Sequence, residues 1–545
     1  MTTIWSHFRH HDYLGLAPWA WIQFESPDYQ GPLTGVGGVA PETVACLRDA
    51  HAVVQGLIES VISNVFARRL SLGDPSLRTY LEDAYAEIVR LRPQFWDHIR
   101  CGRGADGSFD WGFPLDPRNC VPLTYTGLRV VNKVTGASVL LPFERSMAPA
   151  VGRFVGCLDG SRTVSELRHL VTSSDDSLAG ALTSLLELLD TQKCCMLSES
   201  PQRHAPWFTE ACDSAVVHLG HATLLYRQRD QFFLFDPWLI PWFAEAPVPS
   251  PWGSLVPRPT AIFVTHEHPD HLDRRTLVSM GKDIPVIIPS RRDRRTLHYD
   301  YSGLLRGLGF EQIVELPHGE SWAFDGGAVV SVPFFGEDPC DIEMPRNCYL
   351  VTDRGRNTLM LADSGPSNCG NSLVKDGIID DLVRRHGPIA TVFASQQQIV
   401  DLRTYNGYAC LSPPGRWLEI GEDSYVTNGY LAQLAASARA RQFVAYSTGG
   451  ADWYPDDRNF LFSRRNAART PILTANWEPP AKLKEMLAPY GCRYHSGQAF
   501  DVFRPTADGG TEVRSAAEAL DPARLFGRDQ GNLSSMQQKS QLKAT

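Results

Sequence analysis

The chain has no run of about 18 uninterrupted apolar residues, the length a membrane-spanning helix needs, so no transmembrane segment is expected. It also lacks a basic excess. Its 52 Lys and Arg face 61 Asp and Glu, a formal charge of −9, with a pI of about 6.0. A nucleic-acid binder normally presents a basic field, so nucleic acid is excluded as the expected partner. The N-terminus carries no basic-then-apolar signal pattern. The 12 cysteines show no disulfide-framework spacing, and Cys194 and Cys195 are adjacent, an awkward geometry for a bridge. These absences predict a cytoplasmic protein with free thiols. What remains is globular: 545 residues, 43% hydrophobic and 21% charged, a length for two or three domains.

The informative segment is His266-Glu267-His268-Pro269-Asp270-His271. It follows Thr260-Ala261-Ile262-Phe263-Val264, an apolar run that reads as a buried strand. Four metal-ligand side chains therefore leave one strand end together. His266 and His268, two apart, converge on one cation, and Asp270 and His271 turn toward a second.

The surrounding segments are Val217-His218-Leu219-Gly220-His221-Ala222-Thr223, Phe233-Leu234-Phe235-Asp236-Pro237-Trp238, and Val264 through Asp273. Together with the His-x-His-x-Asp-His motif they resemble a metallo-β-lactamase-fold domain over about Ser214 to Arg504. The motif is specific for that fold and not for a reaction. The resemblance implies an α/β chain whose C-terminal αββα sandwich, residues 206–506, is catalytic. It is preceded by a mixed α+β N-terminal domain, 1–205, in an accessory or dimerisation role, and followed by a loosely ordered polar tail, 507–545. Within the N-terminal part, helical apolar spacing runs from Pro41 to Arg69 and from Leu77 to Leu91. Two strands flank the turn Lys133-Val134-Thr135-Gly136, and Phe154 to Leu197 reads as helix, turn, helix. Leu158 to Leu167 looks like a small winged-helix module of the kind that binds peptides, with a helical dimerisation or lid domain as the alternative.

Hydrolytic members of the fold usually add a third His, a bridging Asp and a late His. Val332-Pro333-Phe334-Phe335-Gly336-Glu337-Asp338 stands where the third His is expected and contains none; Glu337 is the natural replacement, with Asp338 competing. Leu359-Met360-Leu361-Ala362-Asp363 is an apolar strand ending in the bridging Asp. For the late His, neither His386 nor His495 matches the expected strand end, which is more like Phe443-Val444-Ala445-Tyr446-Ser447. Such a carboxylate-rich set suits iron or manganese better than zinc.

With that Glu and a long N-terminal domain, the chain resembles the diiron β-hydroxylases of nonribosomal peptide biosynthesis, the chloramphenicol-pathway enzyme among them. The resemblance extends over nearly the whole chain. It implies a non-haem diiron monooxygenase of antibiotic biosynthesis, with His266, His268, Asp270, His271, Glu337 and Asp363 as ligands. Glu337 and Asp363 are then also the catalytic carboxylates. It further implies two iron ions, dioxygen as co-substrate, an external electron donor with its own redox partner, and a homodimer through the N-terminal domain. The substrate is an aminoacyl group on a peptidyl carrier domain, hydroxylated at Cβ. Arg291-Arg292-Asp293-Arg294-Arg295 and Arg464-Arg465 are candidate carrier-docking cations. The competing reading is a zinc-dependent hydrolase of the same fold.

Overall fold

Apolar runs without polar alternation dominate the sheet-forming segments, and strands buried on both faces require this. In Ala261–Phe263, for example, Ala261 and Phe263 enter one buried cluster and Ile262 another. Two stacked sheets result. One has eight strands, in the order Ile313–Leu316, Val286–Pro289, Ala261–Phe263, Gln231–Phe235, Thr223–Gln228, Ser214–Gly220, Asp501–Pro505, Thr511–Ser515. The other has seven: Ser321–Phe324, Gly327–Pro333, Asn347–Asp353, Asn357–Met360, Ile389–Ser395, Gln442–Tyr446, Arg493–Ser496. The molecule is seen here as a computed structural model. It describes residues 4–6, 8–17, 20–26, 36–37, 101–103, 109–111, 125–132, 135–201, 214–239, 257–268, 270–293, 298–336, 345–367, 371–396, 426–447, 480–498, 500–506 and 510–515.

The space between the sheets is filled by Phe233, Phe235, Phe263, Tyr349, Met360, Phe393, Val444 and Phe503. Outside the seven-stranded sheet lie Ile378–His386, Asn428–Ser437 and Pro480–Leu487, with Leu382, Leu431, Leu434 and Leu483 turned inward. Outside the other sheet lie Arg274–Val278 and Tyr301–Gly307. This is the expected αββα sandwich. Each sheet has a parallel half: Gln231–Phe235 with Ala261–Phe263 and Val286–Pro289 in one, Asn357–Met360 with Ile389–Ser395 and Gln442–Tyr446 in the other. Their carboxyl ends, where α/β folds bind ligands, share one edge of the sandwich.

The N-terminal part combines a three-stranded sheet (Asp159–Thr163, Tyr13–Leu16, Cys195–Ser198) with a second one (Ala20–Glu25, Gly127–Asn132, Ala137–Pro142). The expected hairpin around Thr135-Gly136 is present, Asn132 pairing with Ala137. The expected helix, turn, helix is more elaborate. Ala148–Gly156 precedes the strand Asp159–Thr163, and the helices Val164–Thr172 and Asp176–Thr191 follow, the first opened by a Thr163–Glu166 capping box. One apolar cluster joins Val151, Phe154 and Val155 to Leu277, Leu304 and Leu308, so this module packs directly on the αββα sandwich.

One boundary is corrected. Thr511–Ser515, assigned to the polar tail, pairs in register with Asp501–Pro505 and closes the eight-stranded sheet. Thr511 and Val513 lie on the more buried face and the charged Glu512 and Arg514 on the exposed one, the pattern of an edge strand. The predicted helices at Pro41–Arg69 and Leu77–Leu91 lie outside the described residues. Among the described residues, Cys157, Cys194, Cys195, Cys348 and Cys492 are free thiols, and no helix is long and apolar enough to cross a membrane.

Candidate metal centre

His266 follows the strand Ala261–Phe263 by three residues and is fully buried, as is His271. The imidazole centroids of His266 and His268 lie 4.5 Å apart, and those of His266 and His271 3.9 Å apart. Asp363 leaves the parallel edge just beyond Asn357–Met360, and its Oδ2 is 3.1 Å from His271 Nε2. The structure therefore brings together five of the six predicted ligands: His266, His268, Asp270, His271 and Asp363. Glu337 and its competitor Asp338 lie outside the described residues.

Asp236 sets the tautomers. It is buried at the end of Gln231–Phe235, in the left-handed region at φ +45°. Its carboxylate accepts from Thr265 N at 2.7 Å, Thr265 Oγ1 at 2.6 Å and His271 Nδ1 at 2.8 Å. His271 therefore turns Nε2 toward Asp363, the carboxylate–histidine–metal arrangement. Because the Thr265 hydroxyl donates to Asp236, its oxygen accepts from His266 Nδ1 at 2.9 Å. That leaves His266 Nε2 as the lone-pair nitrogen.

The sequence reading missed His221. This residue sits in the turn between Ser214–Gly220 and Thr223–Gln228, buried and at φ +48°. Its Nε2 is 3.0 Å from Asp270 Oδ2. His221, His271 and Asp363 each offer a ligand atom, all within 4.8 Å of one another. Nδ1 of this buried ring has no hydrogen-bond partner among the described residues, a costly state for a polar atom unless a ligand or water reaches the ring. Its backbone is held from two sides: His221 O accepts from Ser447 N at 3.0 Å, and His218 Nε2 lies 2.8 Å away. The only available signal was the second His of Val217-His218-Leu219-Gly220-His221, a hairpin turn far from the motif in sequence.

At the strand end where a late His was sought stands Ser447, whose hydroxyl donates to Asp363 Oδ1. His495 is held by Asp501 at 2.7 Å, and His386 ends the helix Ile378–His386. Neither joins the cluster.

Electrostatics make this a cation site. Burial, then the neighbouring His271, holds His266 well below the usual histidine range. Burial and the Arg346 guanidinium lower His268. Both rings therefore offer lone pairs at neutral pH. Burial opposes ionisation of Asp363, but the contact with His271 wins and lowers its pKa. Burial likewise opposes charge on His271, yet Asp363 and Asp236 raise it well above the ordinary value. A proton thus lies between His271 and Asp363, where a divalent cation would be held by the same two side chains. The neutral imidazoles of His266 and His268, the carboxylate of Asp363 and a ligand-sized separation fit a metal pair. His268 and Asp270, with side chains 27% and 32% exposed, form the solvent side.

Of the candidate docking cations, Arg291 is paired with Asp300 at 2.7 Å, and Arg292 with Glu320 at 3.3 Å. Both charges are thereby partly neutralised. Arg294, Arg295, Arg464 and Arg465 lie outside the described residues.

Residues 231–423 match a beta-lactamase superfamily domain. The described fold is similar to the crystal structure of CmlA, a diiron beta-hydroxylase from Streptomyces venezuelae, with a TM-score of 0.56 at 16% identity over 90% of this chain and 99% of that one. This likeness shows the fold, that of the metallo-β-lactamases with an N-terminal module. In sequence, the chain is 27% identical over 192 residues to the 4-amino-L-phenylalanyl-[CmlP-peptidyl-carrier-protein] 3-hydroxylase of Streptomyces venezuelae, covering 34% of each chain. It is also 27% identical over 165 residues to the cytidine monophosphate-N-acetylneuraminic acid hydroxylase of Mus musculus, covering 27% of that protein. The matched segments span about a third or less of these relatives, and both relatives are hydroxylases.

Proposed function

We propose that this chain is an oxygen-dependent diiron monooxygenase that hydroxylates Cβ of an aminoacyl group tethered to a peptidyl carrier domain. The observation that carries the reading is the carboxylate content of the cluster. Asp270 and Asp363 stand among the histidines, and Ser447, not an imidazole, occupies the strand end beside Asp363. Hard oxygen donors favour iron over zinc. Similarity to a hydroxylase whose named substrate is carried on a peptidyl carrier protein supports the tethered substrate.

In this reading His266, His268 and Glu337 would hold one iron and Asp270 and His271 the other, with Asp363 between them, and His221, 3.0 Å from Asp270, would position that carboxylate. Iron there would supply reductive activation of dioxygen with two electrons from a separate donor, one oxygen atom going to Cβ and the other leaving as water. The chain's own groups do the rest. Asp236 fixes the His271 ring, Thr265 fixes His266, and Ser447 fixes one Asp363 oxygen. Phe334, packed 5.1 Å from the His266 ring, keeps water from that side.

The test combines metal analysis with intact mass spectrometry of aminoacylated carrier domains after aerobic reaction with reduced enzyme. About two irons per chain and a gain of one oxygen on the carrier-bound residue are expected. Two zinc ions with hydrolytic activity would instead establish the zinc hydrolase. Glu337→Ala should lose iron while Asp338→Ala loses much less; equal iron in the wild type and Glu337→Ala removes Glu337 from the ligand set. Free amino acid hydroxylated as well as the tethered one removes the carrier.

A further inference from the structure

Glu267 stands between two ligand histidines, and its carboxylate is held by Arg346 rather than left free beside them. Arg346 grips it with a two-pronged contact, Nη2 to Oε1 at 2.5 Å and Nε to Oε2 at 3.0 Å, and both side chains are 2% exposed. Tyr301 donates to Oε2 at 3.3 Å. The same Arg346 Nη2 lies 3.4 Å from His268 Nε2, while Glu267 Oε1 lies 3.8 Å from that nitrogen. Arg346 itself is pinned: its carbonyl oxygen lies 2.9 Å from His318 Nε2, its guanidinium sits 5.5 Å over the Phe334 ring, and the next residue, Asn347, donates from its backbone to Thr265 O at 2.9 Å.

We infer that Arg346 is a positioning residue that keeps Glu267 out of the metal's coordination sphere and so holds one position open for an exogenous ligand. The inference rests on the metal-centre reading above. A buried carboxylate must be paired or must bind a cation, and one whose oxygen already lies 3.8 Å from a ligand-histidine nitrogen needs little movement to reach the same metal. The bidentate guanidinium satisfies both oxygens at once, which a lysine's point charge does not. Glu267 is thus a restrained donor in the middle of the motif, and Arg346 is its restraint.

The experiment uses full-length apoprotein loaded with cobalt(II), whose visible absorption weakens as coordination number rises, and titrates it with azide. Arg346→Met should bleach the cobalt bands and weaken azide binding about tenfold or more. In Arg346→Met combined with Glu267→Gln, which removes the restrained carboxylate, both readouts should return to wild type. A merely structural role would not give that rescue. Should Arg346→Met not fold, Arg346→Lys should shift both readouts the same way by a smaller factor. Wild-type cobalt bands and azide affinity in whichever single variant folds would overturn the proposal. Iron content of the wild-type protein, measured separately, reports on the metal reading alone, because the cobalt experiment does not depend on which metal is native.

Discussion

The metal edge and the face where the N-terminal module docks are both tightly specified, by opposite means. At the metal edge the chain puts polar groups inside. His221, Asp236, Ala362 and Ser447 all adopt left-handed backbone at φ between 45° and 50°, a conformation that costs a non-glycine residue free energy and collects at functional sites. At the docking face the chain removes side chains. A Cβ on Gly152 would meet Leu308 O at 2.1 Å, one on Gly156 would meet Met280 O at 2.4 Å, and one on Gly309 would meet Pro149 O at 2.5 Å. The helix Ala148–Gly156 therefore lies against the catalytic sandwich backbone to backbone. Beside it, the buried Lys282 ammonium donates to three carbonyls, those of Leu277, Val278 and Met280, at 2.6–2.8 Å and closes the end of Arg274–Val278. At the metal edge left-handed backbone aims polar side chains inward, and at the docking face missing side chains let backbones meet.

If the division is real, damage at one place should leave the other intact. The largest effect is expected at Asp363. Asp363→Asn, which keeps the shape beside His271 and Ser447 and loses the charge, should abolish metal retention and lower turnover by on the order of a hundredfold or more, with a smaller loss of apoprotein stability than at the docking face. Metal analysis and calorimetry of the same sample decide it, and a large loss of apoprotein stability would break the comparison. Asp236→Asn, which keeps the shape and loses the charge that orients His271, should weaken metal binding by about 10–100-fold, measured by competition with a chelator.

At the other face, Gly152→Val should cost about 3 kcal/mol of stability through backbone overlap, measured by denaturant unfolding, while metal stoichiometry at low temperature stays that of the wild type. A Gly152→Val protein as stable as the wild type would show that the helix can slide. The smallest effect concerns pH. His271 is protonated in the metal-free protein at neutral pH because its pKa is raised, so metal binding must expel that proton. Affinity should then rise about tenfold per pH unit near neutrality. Titration calorimetry in buffers of different ionisation enthalpy should show about one proton released; no release would place His271 neutral from the start.

Much of the site was legible because it is local. His266 to His271 follow one apolar strand, and the run Leu359 to Ala362 announces Asp363 as a strand-end carboxylate. The segments that hold His221, Asp236 and Ser447 were legible, but nothing local gives these residues or Arg346 their roles. Each looks like an ordinary turn or strand-end residue, and each acquires its role from a partner 29 to 84 positions away: Asp270 for His221, Thr265 for Asp236, Glu267 for Arg346 and Asp363 for Ser447. The late His was sought at the strand end Phe443 to Ser447, where Ser447 stands beside Asp363, while His221 reaches the cluster from the first hairpin.

By itself, then, the sequence determined the buried strand and the ligand-bearing loop behind it, because hydrophobic period and ligand spacing act over a few residues, and the family resemblance those segments carry implied the fold class and the αββα layering. The tertiary structure decided which histidine turns Nε2 inward, which glutamate is restrained, and that a serine stands where an imidazole was sought. Those outcomes depend on which strand ends meet, and strand ends distant in the chain meet only when the parallel halves of both sheets have paired.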